Sequence, residues 1–156
     1  KANGSVVTWG DPACGGESSA VHEPLAADVQ HIAGTAGAFA AVKANGSVVT
    51  WGPADAGGDS SGVREHLASG VQQVTGNAFA FAALKGDSSV VTWGDGSAGG
   101  HWRAVRERLA ADFQQVFGSG FAFAGLKGNG SVVTWGNPGA GGDSSDVHEQ
   151  LAADVQ

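Results

Sequence analysis

The sequence predicts a mainly β repeat array of short antiparallel strands, with a short helix between successive hairpins. Three observations predict it. The decapeptide Lys-Ala-Asn-Gly-Ser-Val-Val-Thr-Trp-Gly begins at Lys1, recurs intact at Lys43 and returns in variant form at Lys85 and Lys127, a gapless period of 42 residues. Each recurrence sets β-branched and aromatic residues beside a turn-forming Asn-Gly or its substitute, and between recurrences the apolar spacing changes to four. A unit this short cannot bury its own apolar face, so stability comes from stacking neighbours and function falls on the surface that the stack creates. A residue present in every unit is most simply a requirement of the unit.

The hairpin is the strongest local element. Residues 39–43 and 47–51 are short segments of small, aromatic and β-branched residues, joined through Ala44-Asn45-Gly46. Asn-Gly tolerates the positive φ angles of a type I′ turn, whose twist matches the flanking strands. The third unit carries Gly86-Asp87-Ser88 instead, so its turn is free to differ. Alternation places Val48 and Thr50 on one side and Val49 and Trp51 on the other, and residues 71–74 read as a third strand.

The segment between hairpins carries an apolar stripe: Val21, Leu25 and Val29; Val63, Leu67 and Val71; Val105, Leu109 and Phe113; Val147, Leu151 and Val155. Spacing by four puts each set on one face of a short helix. Ser18-Ser19 and Asp59-Ser60-Ser61 precede the stripes and supply oxygens that can accept from the first helical amides. Glu23, Glu65, Glu107 and Glu149 fall near the first turn, where a carboxylate complements the helix dipole.

Trp9, Trp51, Trp93 and Trp135 occupy one column and are expected to anchor the core. Each can bury roughly 150–250 Å², an upper bound of about 4–6 kcal/mol. Exposed aromatics at equal spacing for stacking on sugars are the functional competitor, which makes a carbohydrate-binding module the alternative.

We treat residues 1–156 as a single repeat domain with units starting at 1, 43, 85 and 127, the last incomplete. The first Val-Val-Thr-Trp segment has no preceding Phe-Ala-Ala partner, the final unit stops where that partner should begin, and the chain has no Met, so an excerpt of a longer chain is expected. The composition, 42% hydrophobic and 15% charged with 27 Gly, suits a globular array. No stretch approaches the ~20 consecutive apolar residues of a membrane span. A net charge of -7, with eight Lys and Arg, opposes nucleic acid as a partner. Cys14 is the sole cysteine and replaces Ala56, Ala98 and Ala140, so it reads as a small inert side chain.

The order Val-Gln-Gln-Val, Ala-Phe-Ala-Ala-Leu, Lys-x-Asn-Gly-Ser-Val-Val-Thr-Trp-Gly and then Gly-Gly resembles the repeats of the regulator of chromosome condensation family, found also in large ubiquitin ligases. The resemblance spans the chain and implies propeller-like blades. Fewer than four units imply a partial or open propeller. The family's units are usually longer, and its Gly-Gln-Leu-Gly element stands here as Gly-Gly followed by Asp-Ser-Ser or a variant. Members serve mostly as protein-binding platforms. The family's guanine nucleotide exchange loop has no match in this chain, so that activity is not carried over. A similarity to short arrays of unicellular algae adds an accessory subunit of a plastid membrane complex as a further alternative.

The residues give an enzyme little support. His22, His31, His66, His101 and His148 form no close-spaced pair with an intervening Glu, and no phosphate-binding Gly-rich fingerprint follows a strand. The Gly-Gly-Asp-Ser-Ser loop offers one acid per loop, far below the six to eight oxygens of calcium. No catalytic, cofactor or metal residue is therefore expected. The place where the repeat breaks its own rule is more informative: Asp59-Ser60-Ser61 becomes His101-Trp102-Arg103 in the third unit. With Arg106 on the following turn, these residues form the candidate contact site for other proteins of a larger assembly, because Trp and Arg dominate binding hot spots. The competing expectation is that Trp102 fills a gap against a neighbouring unit.

Overall fold

The computed structural model describes residues 1–147 and 149–152. Val155 and His148 lie outside them. Among the described residues nine strands form three antiparallel sheets of three: β1 (Val29–Gly34), β2 (Phe39–Lys43) and β3 (Val48–Trp51); β4 (Val71–Gly76), β5 (Ala80–Lys85) and β6 (Val90–Gly94); β7 (Phe113–Gly118), β8 (Ala122–Lys127) and β9 (Val132–Gly136). Each sheet is one blade, and the three blades stand in an open arc rather than a closed ring. Directly opposite residues on the second and third strands include one aromatic pair per blade: Phe39 and Trp51, Phe81 and Trp93, Phe123 and Trp135. Their rings stack with centroids 5.3–5.4 Å apart, which locks the register of each hairpin.

Blades meet through their first strands. A Cβ added to Gly76 would lie 2.2 Å from the Gly34 carbonyl oxygen, and one added to Gly118 would lie 2.5 Å from that of Gly76. Only glycine permits this approach. Just beyond it, the Ala36 amide donates to the Ala78 carbonyl at 2.9 Å and the Ala78 amide to the Gly120 carbonyl at 3.0 Å, a ladder that steps by one unit. Thr75 Oγ1 adds a bond to the Val116 carbonyl. The core follows the same geometry, since Ala38, Ala40 and Val42 of blade 1 cluster with Val71, Val74 and Phe81 of blade 2. Ala80, Ala82 and Leu84 of blade 2 cluster in the same way with Phe113, Val116 and Phe123 of blade 3.

Three local expectations are corrected. The hairpin turn is not type I′: the Gly46 amide donates to the Lys43 carbonyl and only Gly46 has positive φ, at 75°, so a four-residue turn ends in a left-handed residue. That is the three-residue loop with a bulge. The third unit keeps the same turn despite losing its glycine, with the Ser88 amide bonded to the Lys85 carbonyl and Ser88 itself at φ 62°. The apolar stripe does not lie on one helix. Its first two members sit on single 3-10 turns at Ser19–Val21, Ser61–Val63 and Ser145–Val147, or on the four-residue helix α1 (Trp102–Val105), and on the residues just after. The third member opens the next strand, because Asp28, Gly70 and Asp112 take positive φ and end the helical run. Glu23, Glu65, Glu107 and Glu149 therefore follow these turns and complement no helix dipole; Ser18 and Ser60 make no side-chain cap, whereas Asp59 accepts from the Ser61 amide at 2.8 Å as expected.

The tryptophan column also divides. Trp51, Trp93 and Trp135 are 6%, 3% and 1% exposed, whereas Trp9 is 83% exposed and anchors no core. The reason is positional: residues 5–9 form no strand, and among the described residues no strand pairs with them. Trp51 and Trp93 further donate their indole N–H to the Gly15 and Gly57 carbonyls at 3.0 Å.

Gly76→Ala should destabilise the chain by about 1–3 kcal/mol through overpacking against backbone that cannot yield. Gly62→Ala, whose added Cβ meets nothing within 4 Å, should change the midpoint of urea unfolding little. Ser88→Gly should raise stability by roughly 0.5–1 kcal/mol, since relief of left-handed strain outweighs the added freedom of the unfolded chain; thermal melts of the two chains check this.

Candidate protein-interaction surface

In three of the four units the Thr of the Val-Val-Thr-Trp segment pairs with a Ser ten positions later. Thr8 and Ser18 hydroxyls are 2.7 Å apart, Thr50 and Ser60 3.0 Å, and Thr134 and Ser144 2.9 Å. In the third unit the tenth residue after Thr92 is Trp102. Thr92 is fully buried and its hydroxyl has no hydrogen-bond partner. A buried hydroxyl in that state costs about 1–3 kcal/mol.

Trp102 opens α1, whose Arg106 amide donates to the Trp102 carbonyl at 2.9 Å; the Leu25, Leu67 and Leu151 segments make one such four-residue bond each, and this one makes a second, from the Leu109 amide to the Val105 carbonyl. Its ring is half-buried and packs against both core clusters, so it bridges the two blade interfaces. The His66 ring, one unit upstream, stands 5.4 Å away at 56°. Trp102 thus forms a ridge between two shallow grooves. One, of about 350 Å³, is lined by Asp59, Val63, Trp93, His101, Trp102 and Arg103. The other, of about 360 Å³, is lined by His66, Lys85, Asp87, Trp102, Arg106 and Glu107 among others.

Each groove offers both signs of charge. The backbone N–H of Ser61, then its hydroxyl, holds the Asp59 carboxyl below its usual value. The Ser89 hydroxyl, then its N–H, does the same for Asp87. Both groups are exposed and ionised at neutral pH. His101, Arg103 and Arg106 are exposed, and neither arginine head is engaged by another described side chain. Arg108, by contrast, donates to the Thr134 carbonyl at 2.9 Å and ties the segment after α1 to blade 3. The structure brings His101, Trp102 and Arg103 to one groove and carries Arg106 to the other side of the ridge. His66 and the orphaned Thr92 were missed by the residue pattern, although the Thr–Ser spacing of ten was present to be read.

A ladder of sugar-stacking tryptophans is not presented, because Trp51, Trp93 and Trp135 are buried. Among the described residues there is no cluster of three His, Cys, Asp or Glu able to hold a metal ion, and no helix long and apolar enough to cross a membrane.

No family model matches the chain, and no curated protein matches it. Solved structures do. Human WBSCR16 superposes with a TM-score of 0.50 at 18% identity, over 69% of this chain and 34% of that one. Yeast RCC1 (Prp20), in a crystal structure with Kap60, gives 0.50 at 14% identity, over 69% and 29%. Prp20p from Saccharomyces cerevisiae, described with its binding properties to Gsp1p and histones, gives 0.50 at 14%, over 69% and 30%. The chain spans about a third of the length of these proteins. The likeness shows an RCC1-like β-propeller fold.

Thr92→Val, which removes the orphaned hydroxyl and keeps its shape, should stabilise the chain by about 1–3 kcal/mol. Thr50→Val, which breaks a satisfied pair and leaves Ser60 alone, should cost about 0.5–1.5 kcal/mol. Denaturant unfolding of the two variants gives opposite signs if the orphan is real.

Proposed function

We propose that this chain is a noncatalytic protein-interaction module, a compact 42-residue version of the RCC1-like array that serves as a segment or subunit of a larger assembly. Trp102 is its central contact, with His101, Arg103 and Arg106 around it. The observation that carries this is the third unit's surrender of a hydrogen bond. Three units keep the Thr–Ser pair, while this one leaves Thr92 unsatisfied and stands a half-exposed Trp between two arginines.

The chemistry suits a protein surface. A Trp ridge supplies rigid area, the arginine heads supply several donors each, and Asp59 and Asp87 offer acceptors on either side. The two grooves are shallow and of mixed polarity, which fits side chains of a partner better than an enclosed small molecule. Protein binding is also what the names of the yeast relatives describe, with Kap60, Gsp1p and histones as their partners.

The test compares Trp102→Ser and Arg103→Ser with the parent chain, after partners are identified by mass spectrometry of natively purified protein. Trp102→Ser restores the repeat's Thr–Ser pair, so it should unfold within about 1 kcal/mol of the parent. It should weaken the partner complex by about 2 kcal/mol, roughly 30-fold. Arg103→Ser, on an exposed side chain, should weaken the complex without touching stability. Unchanged partner affinity in both variants, with a stability loss of several kcal/mol in Trp102→Ser, would assign Trp102 to packing alone and end this reading.

A further inference from the structure

The segment that carries Trp102 differs from its counterparts in charge as well as in shape. Residues 101–108 hold three Arg and one Glu. Residues 17–24 hold two acids and no Lys or Arg, residues 59–66 two acids and one Arg, and residues 143–150 three acids and no Lys or Arg. A chain of net charge -7 thus contains one segment of reversed sign. It stands at the junction of blades 2 and 3, with strands of this chain on both sides.

The charged groups of the ridge divide by how far their bonding is already satisfied. Asp59 accepts from the Ser61 amide at 2.8 Å, and Asp87 accepts from the Ser89 hydroxyl at 2.6 Å and the Ser89 amide at 3.1 Å. Lys85 lies beside Asp87, and Arg108 is held by the Thr134 carbonyl. Arg103 and Arg106 are exposed, one in each groove. Neither head meets a described carboxylate, not even Glu107 on the same segment. A guanidinium offers five N–H donors in a planar fork that matches a carboxylate. The open bonding capacity is therefore mainly cationic, and it flanks one half-buried indole.

Resting on the interaction reading above, we propose that the occupant of the Trp102 ridge is an acidic peptide segment, with carboxylates on Arg103 and Arg106 and an apolar side chain over the indole. Charge complementarity selects the segment, and the indole supplies the rigid area. The acids elsewhere on the chain oppose this contact little, because the Debye length at physiological salt is about 8 Å.

The probes are a dye-labelled peptide Gly-Ser-Glu-Glu-Leu-Glu-Glu-Ser-Gly, its counterpart with Gln at the four acidic positions, and a single-stranded oligonucleotide with four phosphates. Each is titrated against the intact 156-residue chain and followed by fluorescence anisotropy. The Glu peptide should bind at least about tenfold more tightly than the Gln peptide, the scale of one charge-assisted hydrogen bond. Arg106→Glu should abolish that preference. Lys43→Glu, an equal change of net charge on blade 1, should leave it within about twofold. Equal binding of the two peptides, no binding of either, or an equal loss in Arg106→Glu and Lys43→Glu overturns the proposal. Tighter binding of the oligonucleotide than of the Glu peptide overturns it in favour of phosphate. The complex with the natively purified partner separates this failure from that of the interaction reading. If Trp102→Ser weakens that complex while the peptides show no preference, the reading stands without its acidic occupant. An unchanged complex in both Trp102→Ser and Arg103→Ser ends both.

Discussion

The approach of backbone to backbone between blades is the constraint from which the rest of the structure follows. Gly76 and Gly118 let successive first strands come so near that a Cβ would strike the carbonyl of the preceding blade, at Gly34 and Gly76. At that distance the Ala36–Ala78–Gly120 ladder can form, and the small residues of each middle strand can reach the first strand of the next blade. Small residues on that face are thus a consequence of the spacing. Large ones are displaced to the other face, where Phe stacks on Trp. Stability in such an array is a sum over near-identical interfaces, so a change at one junction leaves its neighbours intact.

The third unit shows what happens when one position of that pattern changes. Val29 and Val71 become Phe113, and the position facing the larger ring changes from Ala41 and Ala83 to Gly125. A Cβ at Gly125 would lie 2.4 Å from the Phe113 ring, so the two changes form one exchange of volume. Phe113 then meets Trp135 edge-on with centroids 6.4 Å apart. The Trp135 indole N–H, unlike those of Trp51 and Trp93, is buried without a partner. With Thr92 nearby in the same state, the junction of the second and third blades holds both unsatisfied buried polar side-chain atoms found among the described residues. That junction has been reshaped away from the repeat's optimum, and Trp102 stands on it.

Much of the fold could be read from the residues because repetition states the same requirement several times. Turn glycines, alternating Val-Val-Thr-Trp and the Phe of the adjacent strand recur at fixed offsets, and each offset maps onto one backbone bond or one ring stack. The sequence misled where a single period covered two structures. Val63, Leu67 and Val71 are spaced like a helix face, but Gly70 at φ 74° breaks the helix, and the last residue belongs to a strand. It misled again at Trp9, whose column predicted burial although burial is supplied by strands adjacent in space. Of the candidate site, the substitution of Trp102 for a serine was visible as a break in pattern. That the lost serine was the partner of Thr92, and that His66 of another unit faces the indole, required the blades to be placed side by side.

The sequence alone determined a β repeat array, its unit length, its strands and the tryptophan column, because these depend on contacts within one unit and its immediate neighbour, and every unit repeats them. Only the tertiary structure decided which tryptophan is buried, which hydroxyl is orphaned and which edge is left unpaired. Burial and pairing depend on whether a neighbouring strand stands beside a given place in the arc, which a periodic sequence does not write, and the orphaning depends on which side chain ten residues on met the Thr hydroxyl, a contact that only the placed backbone reveals.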